Sequence, residues 1–403
     1  MALPTGVLLA LVLMTADASA IVGGTAPNRT WPAQGLLSIA TTPARACGGT
    51  LVSGRWFLTA GHCVTDKAAA GQPVLPAGIL TVSLGESDTT RYAASERFAV
   101  AEIVRHPDYT PRAMTAGNDV ALLRLATPAP ATPSIQPMRI LTADDTALWA
   151  PGVVATIIGW GATVTGGPYP AELVQAGVPV RTDDVCATAY PAGDPNPFDL
   201  SSMFCAGDGT SDACQGDSGG PIMVPRVDEF ALAGVTSYGS GCADPTRPGI
   251  YARVGAAALN SWVRTVIPTA AISIAPGSPN PGEDVALQAT GTQPASETGV
   301  RAYSWDLDDD GAYDDAVGAR ATLRPIAAGS TVVRVQESYP DGDRALAREV
   351  VTTAGSPRPL PPPPPPPPPR PAAAPPPAGG GAAAAPDGTA AAPGRASSVT
   401  GVA

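Results

Sequence analysis

The chain has 403 residues, more than one hydrophobic core usually serves, so two or three domains are expected. Its 35 acidic residues against 24 basic ones leave a formal charge of -11. No basic stripe is present to neutralise phosphates, which excludes an ordinary nucleic-acid binder.

In chain order, residues 1–20 read as a secretory signal peptide. Gly6 to Met14 is a short apolar run, well under the roughly 20 residues that span a bilayer, and Ala18-Ser19-Ala20 supplies the small residues of a cleavage site. The usual Lys or Arg is missing from its start. No later segment is apolar for long enough to serve as a membrane anchor. Six cysteines suit an oxidising, extracellular destination, although six alone allow 15 pairings.

From Ile21 to about Ile267 the chain alternates short apolar runs with Gly, Pro and Asp. Leu36 to Ile39, Trp56 to Thr59, Ile79 to Val82, Val120 to Leu125, Val153 to Ile158 and Gly234 to Tyr238 are strand candidates, so an all-β barrel or sandwich is expected. Ala256 to Ile267, with Leu259, Trp262, Val263 and Val266 at helical spacing, predicts one closing helix. A second set of short strands follows between Ala271 and Ala354: Val285 to Leu287, Arg301 to Trp305, Thr331 to Val335 and Glu349 to Thr352. That stretch has no cysteine and carries 13 Asp or Glu against 6 Arg. From Gly355 onwards Pro, Ala and Gly dominate, and Pro361 to Pro369 are nine consecutive prolines. Such a tail cannot bury enough apolar surface to fold; its proline run predicts a stiff rod of about 28 Å, at about 3.1 Å per residue.

The chemistry centres on Asp212-Ala213-Cys214-Gln215-Gly216-Asp217-Ser218-Gly219-Gly220-Pro221. Glycines around a serine let the chain turn tightly and bring amide N–H groups to where a negative oxygen would form. A serine hydroxyl also needs a base, and the base needs an orienting group. There are only two histidines. His62 ends the apolar run Leu58-Thr59-Ala60-Gly61, beside Cys63, whereas His106, in Val104-Arg105-His106-Pro107, reads as structural. Asp119 enters the apolar run Val120 to Leu125, where a carboxylate needs a hydrogen-bonded partner such as an imidazole.

Four separated motifs in this order, Ile21-Val22-Gly23-Gly24, Thr59-Ala60-Gly61-His62-Cys63, Asp119-Val120-Ala121-Leu122-Leu123 and Gly216-Asp217-Ser218-Gly219-Gly220-Pro221, resemble the chymotrypsin-like serine proteases, most closely the trypsins. The resemblance covers Ile21 to about Ile267 and implies two six-stranded β-barrels with the active site between them. It implies the catalytic triad His62, Asp119 and Ser218, an oxyanion hole from the N–H groups of Gly216 and Ser218, and Ser237 bonded to Asp119. Asp212 falls at the base of the trypsin pocket and Gly239 and Gly249 at its open walls, which implies cleavage after Arg or Lys. Ala213 replaces a serine found in many trypsins, which favours Arg over Lys. Tyr238 stands where most trypsins carry tryptophan. Asp217 would pair with the free amine of Ile21, so signal cleavage after Ala20 would itself create the active terminus. The implied disulfides are Cys47 with Cys63, Cys186 with Cys205, and Cys214 with Cys242.

Two loops are candidate calcium sites, both structural, since catalysis requires no cofactor. Glu86 and Glu96 match the spacing of the family's calcium loop, with the carbonyls of Asp88 and Arg91 as further ligands, although Ala93 stands where an acid is usual. Asp306, Asp308 and Asp310 alternate before Gly311, with Asp314 and Asp315 following, and Val317 where an EF-hand has glutamate. Tyr303-Ser304-Trp305-Asp306 leading into strands makes this region resemble a PKD repeat, a small immunoglobulin-like β-sandwich. The expected layout is a signal peptide over 1–20, a protease domain over 21–268, the sandwich over 271–354 and a disordered tail over 355–403.

The leading expectation is a secreted monomeric endopeptidase acting on proteins or peptides with Arg or Lys, and open to protein inhibitors. Its own connections look protected: Arg358 and Arg370 precede proline, and no Lys or Arg lies between Arg264 and Arg301. The rival, a silent protease-fold binding or adhesive protein, usually shows a lost triad member or oxyanion glycine, and none is lost here.

Overall fold

Turn residues cut the first hundred described residues into strands short enough to close on themselves. The structure, a computed structural model, describes residues 21–110, 117–226, 229–294 and 301–355. The expected signal segment, the proline run, Arg358 and Arg370 lie outside the described residues. Strands β1 (Gln34–Ile39), β2 (Arg45–Leu51), β3 (Trp56–Thr59), β4 (Leu80–Leu84), β5 (Arg97–Arg105) and β6 (Ala121–Leu125) form a closed antiparallel barrel in the order β1-β2-β3-β6-β5-β4. All four residues of β3 are buried, as are all of β6 except Arg124, which is partly exposed. Those two strands therefore read as continuous apolar runs rather than alternating ones.

A second antiparallel sheet follows from β7 (Val154–Gly159), β8 (Val174–Pro179), β9 (Met203–Ala206), β10 (Pro221–Arg226), β11 (Glu229–Tyr238) and β12 (Gly249–Ala252), in the order β8-β7-β10-β11-β12-β9. Its edges, β8 and β9, meet only through the bridge from Val180 to Ala206 and the flanking bonds of Arg181 N–H to Cys205 O and Gly207 N–H to Pro179 O. The second expected barrel is thus a six-stranded sheet joined at one bridge. Pro179 has no N–H to extend the ladder, and β9 has only four residues.

The closing helix α2 (Ala257–Val266) lies within one residue of its expected ends and buries Leu259 and Val263 in the core shared by Leu51, Trp56 and Leu123. Asn260, on the same face, donates its Nδ2–H to Leu141 O at 2.8 Å. Helix α1 (Asp183–Ala189) was not expected; Thr182 caps it by accepting the Val185 N–H.

Only Ile267 and Pro268, both buried, separate α2 from β13 (Thr269–Ala275). The stretch without Lys or Arg is therefore no loose linker: its described residues pass directly into sheet. Strands β13, β14 (Val285–Thr292) and β17 (Arg320–Leu323) form one small sheet, and β16 (Ala316–Val317), β15 (Ala302–Asp306), β18 (Gly329–Ser338) and β19 (Arg344–Thr353) another. Val285, Leu287, Trp305, Val333, Val335 and Val351 share the core between them. Among the described residues no helix is long and apolar enough to cross a membrane.

Candidate active site

Strand β3 delivers His62 into one tight helical turn, Gly61–Val64, which is pinned from both sides. Cys63 is bonded to Cys47 of β2, and Thr65 Oγ1 donates to Gly61 O at 2.8 Å. Opposite, Gly117 and Asn118 both take positive φ, swinging the chain so that Asp119 enters β6 from inside. Asp119 is 1 % exposed. Its Oδ1 accepts the His62 N–H at 2.8 Å; its Oδ2 accepts His62 Nδ1–H at 2.8 Å and Ser237 Oγ–H at 2.5 Å. Burial alone would push this carboxyl up, but the charge of His62 and these hydrogen bonds outweigh it and hold the pKa below the usual carboxylate value. An ionised Asp119 keeps the proton on Nδ1 and leaves Nε2 free to accept one.

Ser218 arrives in a knot of backbone bonds. Asp217 N–H donates to Cys214 O, Gly220 N–H to Asp217 O, and Gly219 N–H to Thr236 O, while Ser218 O accepts from Gly48 N–H at 2.8 Å. A Cβ on Gly219 would stand 2.2 Å from Thr59 Oγ1 and 2.5 Å from Gly48 O, so the serine loop is pressed against β2 and the end of β3. Cys63 Sγ lies 3.8 Å from Ser218 O. The loop and the His62 turn are therefore neighbours. The N–H groups of Gly216, at φ +99°, and of Ser218 donate to nothing among the described residues, which leaves two amides to meet a negative oxygen.

Ser218 also borders a cavity of about 160 Å³ that Asp212, Ala213, Ser237, Tyr238, Gly239 and Gly249 help to line. Asp212 Oδ2 accepts the Ala243 N–H at 2.8 Å; Oδ1 is buried with no partner among the described residues. Burial pushes this carboxyl up to about 6. A Cβ on Gly249 would come within 2.8 Å of Oδ1 and close the approach, whereas Gly239 has room. Larger cavities exist, one of about 360 Å³ at the seam between the barrels and the C-terminal sheets, but only the small one joins an unpartnered buried carboxylate oxygen to Ser218.

Asp217 points the other way. Its carboxylate accepts Gly161 N–H and Cys214 N–H, each at 2.8 Å, and a Cβ on Gly159 or Gly161 would collide with it. Burial drives its pKa to about 7. Ile21 is fully buried in the second sheet's core at φ 62°, and Val22 pairs with the backbone of Asp212.

Cys47–Cys63, Cys186–Cys205 and Cys214–Cys242 are disulfide-bonded. His106 packs against Trp262 with ring centroids 4.7 Å apart and accepts the Asp108 N–H, a structural setting. Tyr238 OH donates towards the carbonyls of Asn196 and Pro197, tying down the segment after α1. In both candidate calcium loops some oxygens already accept hydrogen bonds. Glu96 turns onto the Ala93 N–H, and the Glu86 carbonyl accepts from Tyr92 OH. The oxygens of Asp306, Asp308 and Asp310 do converge, but Asp306 is taken by Asp309 N–H, Gly311 N–H and Arg334 Nη1 at 2.9 Å. Arg334, which also pairs with Asp309, already brings a positive charge to this turn.

Four residues that shape the site lie outside the motifs. The ring of Tyr169, 64 % exposed, lies where a Cβ on Gly216 would meet it at 2.7 Å. Ala243 holds Asp212 from 31 residues away. The pair Gly159 and Gly161, on either side of Trp160, could have been noticed as a spacing that leaves room for a buried group.

Comparison with known proteins agrees with this geometry. The family model described as Trypsin matches residues 20–263. A trypsin of Saccharopolyspora erythraea is 40 % identical over 218 residues, 52 % of this chain and 82 % of that protein. The proclotting enzyme of Tachypleus tridentatus is 37 % identical over 250 residues, 58 % of this chain and 63 % of its own, and trypsin-2 of Salmo salar 33 % over 226 residues, 55 % and 85 %.

Proposed function

Because the chain belongs to the trypsin family, and is accordingly a trypsin-like serine endopeptidase acting on protein substrates, we propose that it cleaves peptide bonds after arginine, and less readily after lysine. The observation that carries this reading is the buried, unpartnered Oδ1 of Asp212 beside Ser218. A guanidinium gives a carboxylate two parallel donors and needs no help from a hydroxyl, whereas an ammonium lacks the hydrogen bond that a serine in place of Ala213 would accept.

In the proposed reaction Ser218 Oγ bonds to the scissile carbonyl carbon as His62 Nε2 takes its proton. The carbonyl oxygen becomes an anion facing the N–H groups of Gly216 and Ser218, each worth on the order of 3 kcal/mol. Asp119 stabilises the imidazolium. His62 then gives its proton to the leaving amine as the C–N bond breaks, leaving an acyl-serine. Water, deprotonated by His62, repeats the sequence to release the acid. No step draws on a metal; a calcium at the Glu86–Glu96 loop would be structural.

The enzyme is proposed to be a secreted monomer whose signal peptide is cut after Ala20. Two features support this: a free Ile21 amine would give the buried Asp217 its missing countercharge, and cutting the bond removes a φ of 62° that a β-branched residue rarely adopts. The C-terminal sheets are proposed to be a PKD-like, immunoglobulin-like sandwich, and the proline-rich tail disordered. Cleavage-site profiling on a peptide library tests the reading. Cuts confined to Arg and Lys, with Arg ahead and all activity lost in Ser218→Ala, are expected; equal turnover of matched Arg and Lys substrates refutes the preference.

A further inference from the structure

The C-terminal hairpin β18–β19 meets three strands of the catalytic part, each at the end remote from a triad residue. Strand β3 starts just after Arg55 and leads to His62; β6 starts just after Asp119 and holds Arg124 near its far end; β10 starts three residues after Ser218 and ends at Arg226. All three arginines are paired with carboxylates of the hairpin. Arg55 Nη1 donates to Asp341 Oδ2 at 2.9 Å and to its carbonyl at 2.8 Å, Arg124 Nη2 to the same Oδ2 at 2.5 Å, and Arg226 Nη2 to Glu349 Oε2 at 3.1 Å. Beside Asp341 the seam is close-packed. Ser53 Oγ donates to Asp343 Oδ1 at 2.9 Å, Gly54 N–H to Arg344 O at 2.9 Å, and a Cβ on Gly54 would stand 2.7 Å from Arg344 Cγ.

Asp341 thus grips the barrel that carries His62 and Asp119, while Glu349 grips the sheet that carries Ser218. We infer that hairpin β18–β19 is a built-in brace of the catalytic unit, and that Arg55, Arg124 and Arg226 are positioning residues holding His62 and Asp119 in register with Ser218. This rests on the triad reading above. The base and nucleophile come from different sheets, so their separation depends on how those sheets sit, and a misplacement of about 1 Å can cost about 100-fold in rate. The pocket around Asp212 is built within one sheet and its loops, so substrate binding is insulated from the brace.

The test uses the full mature chain and a small arginine amide. Arg226→Met is expected to lower kcat about tenfold while KM stays within about twofold. Arg226→Lys, which keeps the charge, recovers most of the loss. Arg226→Met combined with Glu349→Gln costs less than the sum of the two, because both remove the Arg226–Glu349 contact, while Arg226 also pairs with Glu229 and Glu349 with Arg139. Arg324→Ala, which breaks the exposed pair with Asp284 away from the seam, changes nothing. Should Arg226→Met fail to fold, Glu349→Gln and Asp341→Asn are read in the same way. Unchanged kcat in the folded variants, or a fall confined to KM, overturns the brace. Full activity in Ser218→Ala would instead overturn the triad reading, so the two failures are distinguishable.

Discussion

Retaining Ala20 in front of Ile21 should leave Asp217 as a buried charge with no cation, and the cost follows from its surroundings. Moving that carboxyl from the ordinary 3.8 to about 7 corresponds to about 4 kcal/mol, at about 1.4 kcal/mol per pH unit. With its folded pKa raised, the group favours the folded state fully below about pH 4, and that contribution is lost as pH rises through about 7. The extended protein should therefore lose about 4 kcal/mol across that window relative to the protein beginning at Ile21, whose amine holds Asp217 ionised. Urea melts of both forms at pH 4.5, 6 and 8, with initial rates on an arginine amide alongside, measure it. Parallel stability curves for the two forms, or full activity with Ala20 in place, would refute the reasoning.

Asp212 predicts a second pH effect: with its carboxyl at about 6, affinity for an amidinium competitive inhibitor should fall about tenfold per pH unit below 6, read as Ki against pH. Ala213→Ser should raise turnover of a lysine amide relative to its arginine twin, in matched kcat/KM measurements. Ser237→Ala removes the 2.5 Å bond to the buried Asp119 and should cost about 1–3 kcal/mol, seen as a lower kcat and a lower Tm. Arg334→Ala should destabilise the C-terminal sheets by about 3 kcal/mol in urea melts by stranding Asp306.

Much of the site was legible because its parts are defined by their sequence neighbours. His62 follows an apolar strand and precedes a cysteine, Asp119 opens a buried strand, and Ser218 sits among glycines that the serine loop uses for close approach. The same holds for β3, whose four residues match end to end, and for α2. Helix α1 was missed because Val185 and Cys186 are its only sizeable apolar residues, too few to show a period, although Thr182-Asp183-Asp184 was a readable helix start.

What could not be read depends on charges that meet from far apart in the chain. Asp306, Asp308 and Asp310 have the spacing of a cation loop, and nothing local reveals that Arg334, 28 residues on, arrives from β18 as the cation. Asp341 belongs to an acidic stretch that looks like solvated surface, yet Arg55 reaches it across 286 residues and Arg124 across 217. The acidity of the C-terminal region therefore has two physical destinations, an internal salt bridge and a seam with the catalytic part. Both satisfy arginines whose guanidinium groups are largely buried, and a net charge of -11 summed over the chain conceals both. A sequence motif marks where bonds are made and broken; the groups that hold two sheets in register for that purpose are visible only once the chain has folded back on itself.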